Sequence, residues 1–317
     1  MIQIDGDSIA RGVGASTPAN SWHALATPIN TAVDSTQAAD DSRIVQEAEP
    51  DPKRVYVTAI GTNDAGQYKD NTAKKAFFKN VFRAILAWRL LPDRKTGRGA
   101  KAGIAFSGTW TDSPSPNPCG KYTTEYNASG TATVNGDTVY IGLSEGHYPD
   151  YDVMSQQIKV VIDSVDKGTF SVDVQGITTA VLLQWYGRAC WRFSGLGAGN
   201  HTVTITNLSQ SGKYLHLDYI AGSTQASAPR VIVGNCVKFT DAYMADLGIT
   251  TSTIQAYNTI ISDVVAEFTA HGRDVQIMDR YSVINQAIHS SDYWGHPNDA
   301  GQIVLHDLFM NTLQRNY

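Results

Sequence analysis

The chain has 317 residues, 42 % of them apolar and 17 % charged, with a net charge of −5. Single hydrophobic cores stop growing at about 250–300 residues, so one large domain or two unequal ones are expected. The acidic balance, with no block of Lys or Arg, argues against a protein that tracks nucleic-acid phosphates, and no apolar run reaches the roughly 18–20 residues of a membrane-spanning helix.

In chain order, the first apolar run (residues 1–4) reads as a strand buried on both faces, and a weaker one follows at 30–33. Residues 55–60 repeat the pattern. Phe77, Val81, Ile85 and Trp88 then fall at helical spacing before Pro92. Beyond that point the character changes. Of the 123 positions from 103 to 225, 16 are charged, about 13 %, against 39 of the other 194, about 20 %. This stretch has no helical stripe. Strands are predicted at 131–134, 138–143, 158–162, 169–174, 181–185, 190–193, 201–207 and 215–220, with turn signals at Asn135-Gly136-Asp137, Asp166-Lys167-Gly168 and Gly197-Ala198-Gly199-Asn200. Many short strands at near-regular spacing predict a β-sandwich or jelly roll. Strand–helix alternation resumes with strands at 230–234 and 275–278. Between them lies a helix carrying Ile254, Tyr257, Ile261, Val264 and Phe268. A last helix follows Pro297-Asn298-Asp299, with Ile303, Val304, Leu308 and Leu313 expected inward. The outer parts therefore predict a parallel sheet covered on both faces. The domain reading is a first part at 1–102, an inserted β-sandwich at 103–227 and a second part at 228–317.

Cys119, Cys190 and Cys236 are widely spaced and odd in number, which favours buried free thiols over a disulfide framework or zinc knuckle. Three stretches at predicted strand ends carry side chains suited to catalysis, where open α/β sheets place ligands. Gly6-Asp7-Ser8 would present a hydroxyl on a tight turn. In Gly61-Thr62-Asn63-Asp64, Asn63 is either a turn residue or a donor aimed at an anionic oxygen. His296-Pro297-Asn298 opens the last helix with Asp292 four positions before the His, the arrangement of a base with an orienting carboxylate.

Gly-Asp-Ser near the start, Gly-x-Asn-Asp after a later strand and His-Pro-Asn near the end, in that order, resemble the SGNH (GDSL-type) hydrolase family over about residues 1–100 and 228–317. The resemblance implies a three-layer, flavodoxin-like α/β/α fold, interrupted here by the all-β insert, and serine esterase chemistry without metal or organic cofactor. It implies Ser8 as nucleophile, His296 as base, Asp292 as the acid, and an oxyanion hole of the Ser8 N–H, the Ser35 N–H and the Asn63 amide. The chain departs from the family twice. Ser35 stands where a Gly is usual. The acid usually lies three residues before the His, which is Tyr293 here, so a bulge must bring Asp292 round. Otherwise Ser8 and His296 act as a dyad, or a backbone carbonyl orients the imidazole.

The layout also resembles esterase domains of bacteriophage tailspikes that remove acetyl groups from capsule or O-antigen sugars. This implies an acetylated polysaccharide as substrate, an extracellular or virion-associated setting and, for a phage origin, a homotrimer; the first motif so close to Met1 suggests a chain cut from a longer protein. Trp185 and Trp191, with Tyr186, offer flat faces for sugar stacking or serve as sandwich core. Trp110 and Trp294 are expected nearer the active-site mouth. Glu145, His147, Asp150 and Asp152 form a polar loop, read as solvated rather than as a calcium or sugar site. The alternatives are a sugar-binding adhesin with a vestigial hydrolase domain, or a lipase or thioesterase.

Overall fold

Runs of Val, Ile and Ala flanked by turn residues form the central sheet, because such runs hide both faces of a strand. The computed structural model describes residues 1–24, 29–113, 119–145, 157–171, 187–210 and 212–315. It divides into two compact units, one of residues 1–41, 51–79 and 229–317, the other of residues 42–50 and 80–228.

The first unit holds β1 (Ile2–Gly6), β2 (Ile29–Asn30), β3 (Val55–Ala59) and, after the second unit's strands, β15 (Arg230–Gly234) and β16 (Val275–Met278). All pair in parallel, in the order β16-β15-β3-β1-β2. Counted within this unit alone the order is 2-1-3-4-5, the flavodoxin-like arrangement, with a switch point between the first and third strands. The helices are α1 (Ser8–Arg11), α2 (Ala38–Val45), α3 (Thr62–Tyr68), α4 (Thr72–Leu90), α5 (Asp241–Leu247), α6 (Thr251–Thr269), α7 (Arg280–Val283), α8 (Gln286–His289) and α9 (Asp299–Gln314). On one face of the sheet, Ile4, Val57 and Ile232 share a core with Ile9 of α1, Trp22, and Leu305 and Phe309 of α9. The residues between them, Tyr56, Thr58, Val231 and Val233, are also buried. The other layer includes α3 and α6, with Tyr257 of α6 edge-on to Phe78 at 5.0 Å. Fully burying a Val, Leu, Ile or Phe side chain is worth about 1.5–3 kcal/mol, so both faces stabilise the sheet. The α9 stripe differs from expectation. Gln302, Leu305, Phe309 and Thr312 are buried, Val304, Leu308 and Leu313 pack partly against the core, and Ile303 points outward at 55 % exposure.

The second unit contains β4 (Lys95–Thr96), β5 (Ala105–Ser107), β6 (Thr111–Asp112), β7 (Lys121–Thr123), β8 (Ser129–Asn135), β9 (Thr138–Glu145), β10 (Ile158–Ile162), β11 (Val165–Phe170), β12 (Gly187–Ser194), β13 (Asn200–Asn207) and β14 (Leu215–Gly222). They form two antiparallel sheets, β11-β10-β13-β8-β5 and β12-β9-β14-β7-β6, with β4 also paired to β14. Alternate residues from both sheets, among them Val134, Ile141, Leu143, Val160, Val203, Ile205 and Leu217, make one core, so the insert is a β-sandwich. β14 is buried throughout its length because its outer face is covered too, with Trp88 against Tyr219 at 5.9 Å. Arg83 donates to the Cys190 carbonyl at 2.9 Å. Arg94 stacks on Trp88 at 3.5 Å and pairs with Glu49 at 2.5 Å. These contacts place the end of α4 and residues 42–50 with the sandwich, whereas the sequence reading starts the insert at 103.

One expected turn is displaced. Asp166-Lys167-Gly168 lies inside β11, and the reversal occurs at Asp163-Ser164, both at positive φ (52° and 67°), joining Ile162 to Val165. Two consecutive positive-φ residues are what a two-residue hairpin turn of the primed type needs. The strand expected at 181–185 and the polar loop with His147, Asp150 and Asp152 lie outside the described residues.

Candidate active site

The side chains singled out at the strand ends all belong to the first unit. β1 ends at Gly6, whose φ is +135° and where a Cβ would lie 2.1 Å from the Ala59 carbonyl oxygen of β3. Only glycine lets the two strands close there and turn the chain sharply into α1. Asp7 caps that helix, its carboxylate accepting from the N–H groups of Ile9 (3.0 Å) and Ala10 (3.2 Å). Ser8 is therefore the first helical residue. Burial pushes the Asp7 carboxyl upward, and the buried Arg280 guanidinium pulls it back in part. Arg280 itself is fixed by the carbonyls of Asn235 (2.7 Å) and Gly234 (3.2 Å). Neither Asp7's capping role nor Arg280 was singled out from sequence, although Asp directly before a short helix is a capping signal.

Ser8 Oγ lies 2.9 Å from His296 Nε2, across 288 positions of sequence. His296 Nδ1 lies 2.6 Å from Asp292 Oδ2. The four-residue separation closes because Asp292 Oδ1 also accepts the backbone N–H groups of Gly295 (2.9 Å) and His296 (3.1 Å), curling the loop round its own carboxylate. Gly295 supplies the required left-handed conformation at φ +99°. Burial raises the Asp292 pKa, but the hydrogen bonds from the His296 ring and the two N–H groups outweigh it and hold the carboxyl below its usual range. An ionised carboxylate only accepts, so Nδ1 carries the ring proton and Nε2 is left to accept from the Ser8 hydroxyl.

His296 is positioned from both sides. Ser291 donates from its N–H (2.7 Å) and hydroxyl (2.9 Å) to the His296 carbonyl. Asn298 caps α9 through Gly301 N–H at 3.0 Å and donates to Ile288 and Ser290 carbonyls. Asp299 accepts from Ser16 N–H and hydroxyl (2.8 and 2.6 Å) and from Asn20 (3.0 Å), while Gln302 bridges the Val13 and Pro297 carbonyls. The segment after α1 is thus tied to the start of α9, which holds Ser8 and His296 in register.

Ser35 sits in the loop after β2 at φ +62°, a left-handed conformation that favours Gly. That loop lies beside Gly6 through Val33 N–H to the Gly6 carbonyl at 3.0 Å. Asn63, the second residue of α3, donates through Nδ2 to the Thr36 carbonyl at 3.0 Å, and one Nδ2 hydrogen remains for another acceptor. Its neighbour Asp64 accepts from the Ala38 N–H at 3.1 and 3.2 Å. Adjacent residues of the 61–64 motif therefore clamp the loop that presents Ser35. Asp64 is buried, which pushes its pKa up to about 8, with the nearby Asp40 and Asp7 charges adding to the shift.

Trp294 projects from the Asp292–His296 loop at 53 % exposure, its ring 6.3 Å from the imidazole. Trp110 and Trp191 belong to the sandwich unit. Trp110 packs at 4.7 Å on Phe106, and Trp191 edge-on to Phe170 at 4.9 Å, both against the sandwich core. Trp185 lies outside the described residues. Cys119, Cys190 and Cys236 are buried and form no disulfide among the described residues. Among the described residues no group of three or more His, Cys, Asp or Glu is arranged to hold a metal ion.

No protein-family model matches the chain, and no curated protein is detectably similar to it in sequence. Solved structures are similar at low identity. A member of the lipolytic protein G-D-S-L family from Veillonella parvula DSM 2008 is 11 % identical over 99 % of this chain and 98 % of its own, with a TM-score of 0.43. A two-domain esterase active on acetylated mannans is 11 % identical over 72 % of this chain and 90 % of its own, with a TM-score of 0.39. A family 35 carbohydrate binding module from an environmental isolate is 13 % identical over 38 % of this chain and 86 % of its own, with a TM-score of 0.28.

Proposed function

We propose that the chain is a serine esterase of the SGNH type that removes O-acetyl groups from a polysaccharide through an acyl-enzyme intermediate. The observation that carries this reading is the relay Ser8 Oγ–His296 Nε2–Asp292 at 2.9 and 2.6 Å, beside the carboxyl ends of β1 and β3. A serine hydroxyl is a poor nucleophile at neutral pH, and a base within hydrogen-bond reach removes that barrier.

In the first half-reaction the Ser8 oxygen bonds to the acetyl carbon while its proton passes to His296 Nε2. Asp292 stabilises the imidazolium through Nδ1. The oxyanion is held by the N–H groups of Ser8 and Ser35 and by the remaining Nδ2 hydrogen of Asn63. The carbon–oxygen bond to the sugar then breaks, and His296 returns the proton to the departing sugar oxygen. Water, deprotonated by the same imidazole, attacks the acetyl-serine and releases acetate. No redox partner or metal enters these steps.

The polysaccharide substrate is supported by the resemblance of the motifs and layout to glycan deacetylases, including those of phage tailspikes, and by a low-charge β-sandwich set within the hydrolase sequence. Such a substrate would be met outside a cell or on a virion. Acetate release from a panel of acetylated polysaccharides, with Ser8→Ala alongside, tests the reading. Release by the parent chain and none by the variant is expected. Binding without hydrolysis would instead favour a sugar-binding adhesin.

A further inference from the structure

The loop that closes the Asp292–His296 pair carries two large side chains that the relay does not use. Tyr293 is 44 % exposed and Trp294 53 % exposed. They belong to a row of rings. Phe239, which is buried, meets Tyr243 at 5.3 Å, Tyr243 meets Tyr293 at 5.3 Å, Tyr293 meets Trp294 at 6.3 Å, and Trp294 meets the His296 imidazole at 6.3 Å. A lone exposed aromatic needs no explanation, but an adjoining pair at the lip of a catalytic centre does.

The backbone under these rings is fixed. The Thr240 hydroxyl donates to the Tyr293 carbonyl, Ser290 to the Asp292 carbonyl at 2.8 Å, and Gln286 Nε2 to the carbonyls of Lys238 and Gly295. Asp292 Oδ1 holds the next two N–H groups. Rings mounted on so constrained a loop lose little freedom when something settles on them, which is the property of a preorganised binding surface.

We propose that Tyr293 and Trp294 form a stacking platform for the pyranose that carries the scissile acetyl group, so that this loop selects a sugar ester over a small one. The inference rests on the esterase reading above. Its occupant follows from position. The acetyl carbon must reach Ser8 Oγ, itself 2.9 Å from His296. The alcohol attached to it then extends from a point one ring away from Trp294. A pyranose has an apolar C–H face that matches an aromatic face and a rim of hydroxyls that stays wet. A small alcohol leaves the platform uncovered.

The test compares the full chain with Trp294→Ala, Trp294→Phe and Tyr293→Ala on chemically acetylated mannan, xylan and galactan, and on ethyl acetate. For Trp294→Ala, the ratio of kcat/KM on the preferred glycan to that on ethyl acetate is expected to fall about tenfold, mainly through KM, with Trp294→Phe recovering most of it. Equal losses on glycan and ethyl acetate would mean that the rings merely support His296, and would overturn the platform. An unchanged ratio, or a parent chain that prefers ethyl acetate to every glycan, would overturn it as well. So would a drop in solution mass in Trp294→Ala, by showing that a second copy covers the rings. A parent chain inactive on every ester would remove the esterase reading and the platform with it, whereas an active parent with an unchanged ratio removes the platform alone.

Discussion

Among the described residues two histidines lie within 2.6 Å of an aspartate carboxylate, and they do different things. In the α/β unit, His296 Nδ1 meets Asp292 at 2.6 Å and Nε2 meets the Ser8 hydroxyl. In the sandwich, His201 Nδ1 meets Asp163 at 2.5 Å, but Nε2 meets the Gly197 carbonyl at 2.9 Å. A carbonyl and a carboxylate both only accept, so both contacts are satisfied only when both His201 nitrogens carry protons, which favours the cation. The hydrogen bond to Asp163, with the one to Gly197, accordingly raises the His201 pKa, and the same contact lowers that of Asp163. His296 faces a group that can donate, which leaves it a site for the proton of Ser8. The pairing alone makes neither histidine a base. The partner of the second nitrogen decides.

Variants can break this contrast, beginning with the largest effect. Ser8→Ala should lower esterase turnover to near background, roughly 10⁴-fold or more, and Asp292→Asn should approach that loss because the amide no longer fixes the ring tautomer. Steady-state acetate release measures both, and a loss below tenfold in either would contradict the assignment. Asn63→Ala should cost on the order of 10²–10³ in kcat with the fold intact by circular dichroism. Wild-type turnover there would remove Asn63 from the oxyanion hole. A smaller effect concerns stability. With its folded pKa raised from 3.8 to about 8, Asp64 keeps its proton in the native state while the unfolded chain loses it. Its contribution is complete below about pH 4 and declines as pH rises toward 8, by at most about 1.4 kcal/mol per pH unit. Asp64→Asn should flatten that decline in denaturant titrations, and an unchanged pH dependence would contradict it. The smallest effect belongs to the sandwich pair. The raised His201 pKa supports folding below about 6.5 and is lost as pH rises through the folded value, while the lowered Asp163 pKa contributes above 3.8. His201→Gln should lower Tm most between those limits and leave kcat on a small ester unaltered. Loss of turnover would mean that the two pairs are not functionally separate.

The difference between the pairs was only half legible in the sequence. Ser8 and Asn63 stand in short motifs at the ends of apolar runs, which a parallel sheet places on one edge, and His296 stands in the motif that opens the last helix. Asp292 was harder, because a four-residue separation reaches the imidazole only when the carboxylate caps its own loop. Gly295 was the available signal, a residue free to adopt φ +99°. The His201–Asp163 pair was hidden by the turn. Asp163-Ser164 reverses the chain without glycine, while the glycine-bearing Asp166-Lys167-Gly168 lies within a strand. Strands of two or three residues such as β4, β5, β6 and β7 have too few positions to show alternation, whereas β10 and β13 show it over five and eight. The outward turn of Ile303 has a similar origin. Leu305 and Phe309 set the buried stripe of α9, and Ile303 falls off it.

Catalysis by Ser8, activated by His296, passes through an acyl group on that serine. Rapid quenching of the chain during turnover of p-nitrophenyl acetate, followed by peptide mass analysis, tests it directly. An acetyl group on the peptide containing Ser8, absent from Ser8→Ala and strongly reduced in His296→Ala, is the expected result. Acetylation confined to another residue, or a Ser8→Ala chain that still turns over the ester at the parent rate, would contradict it.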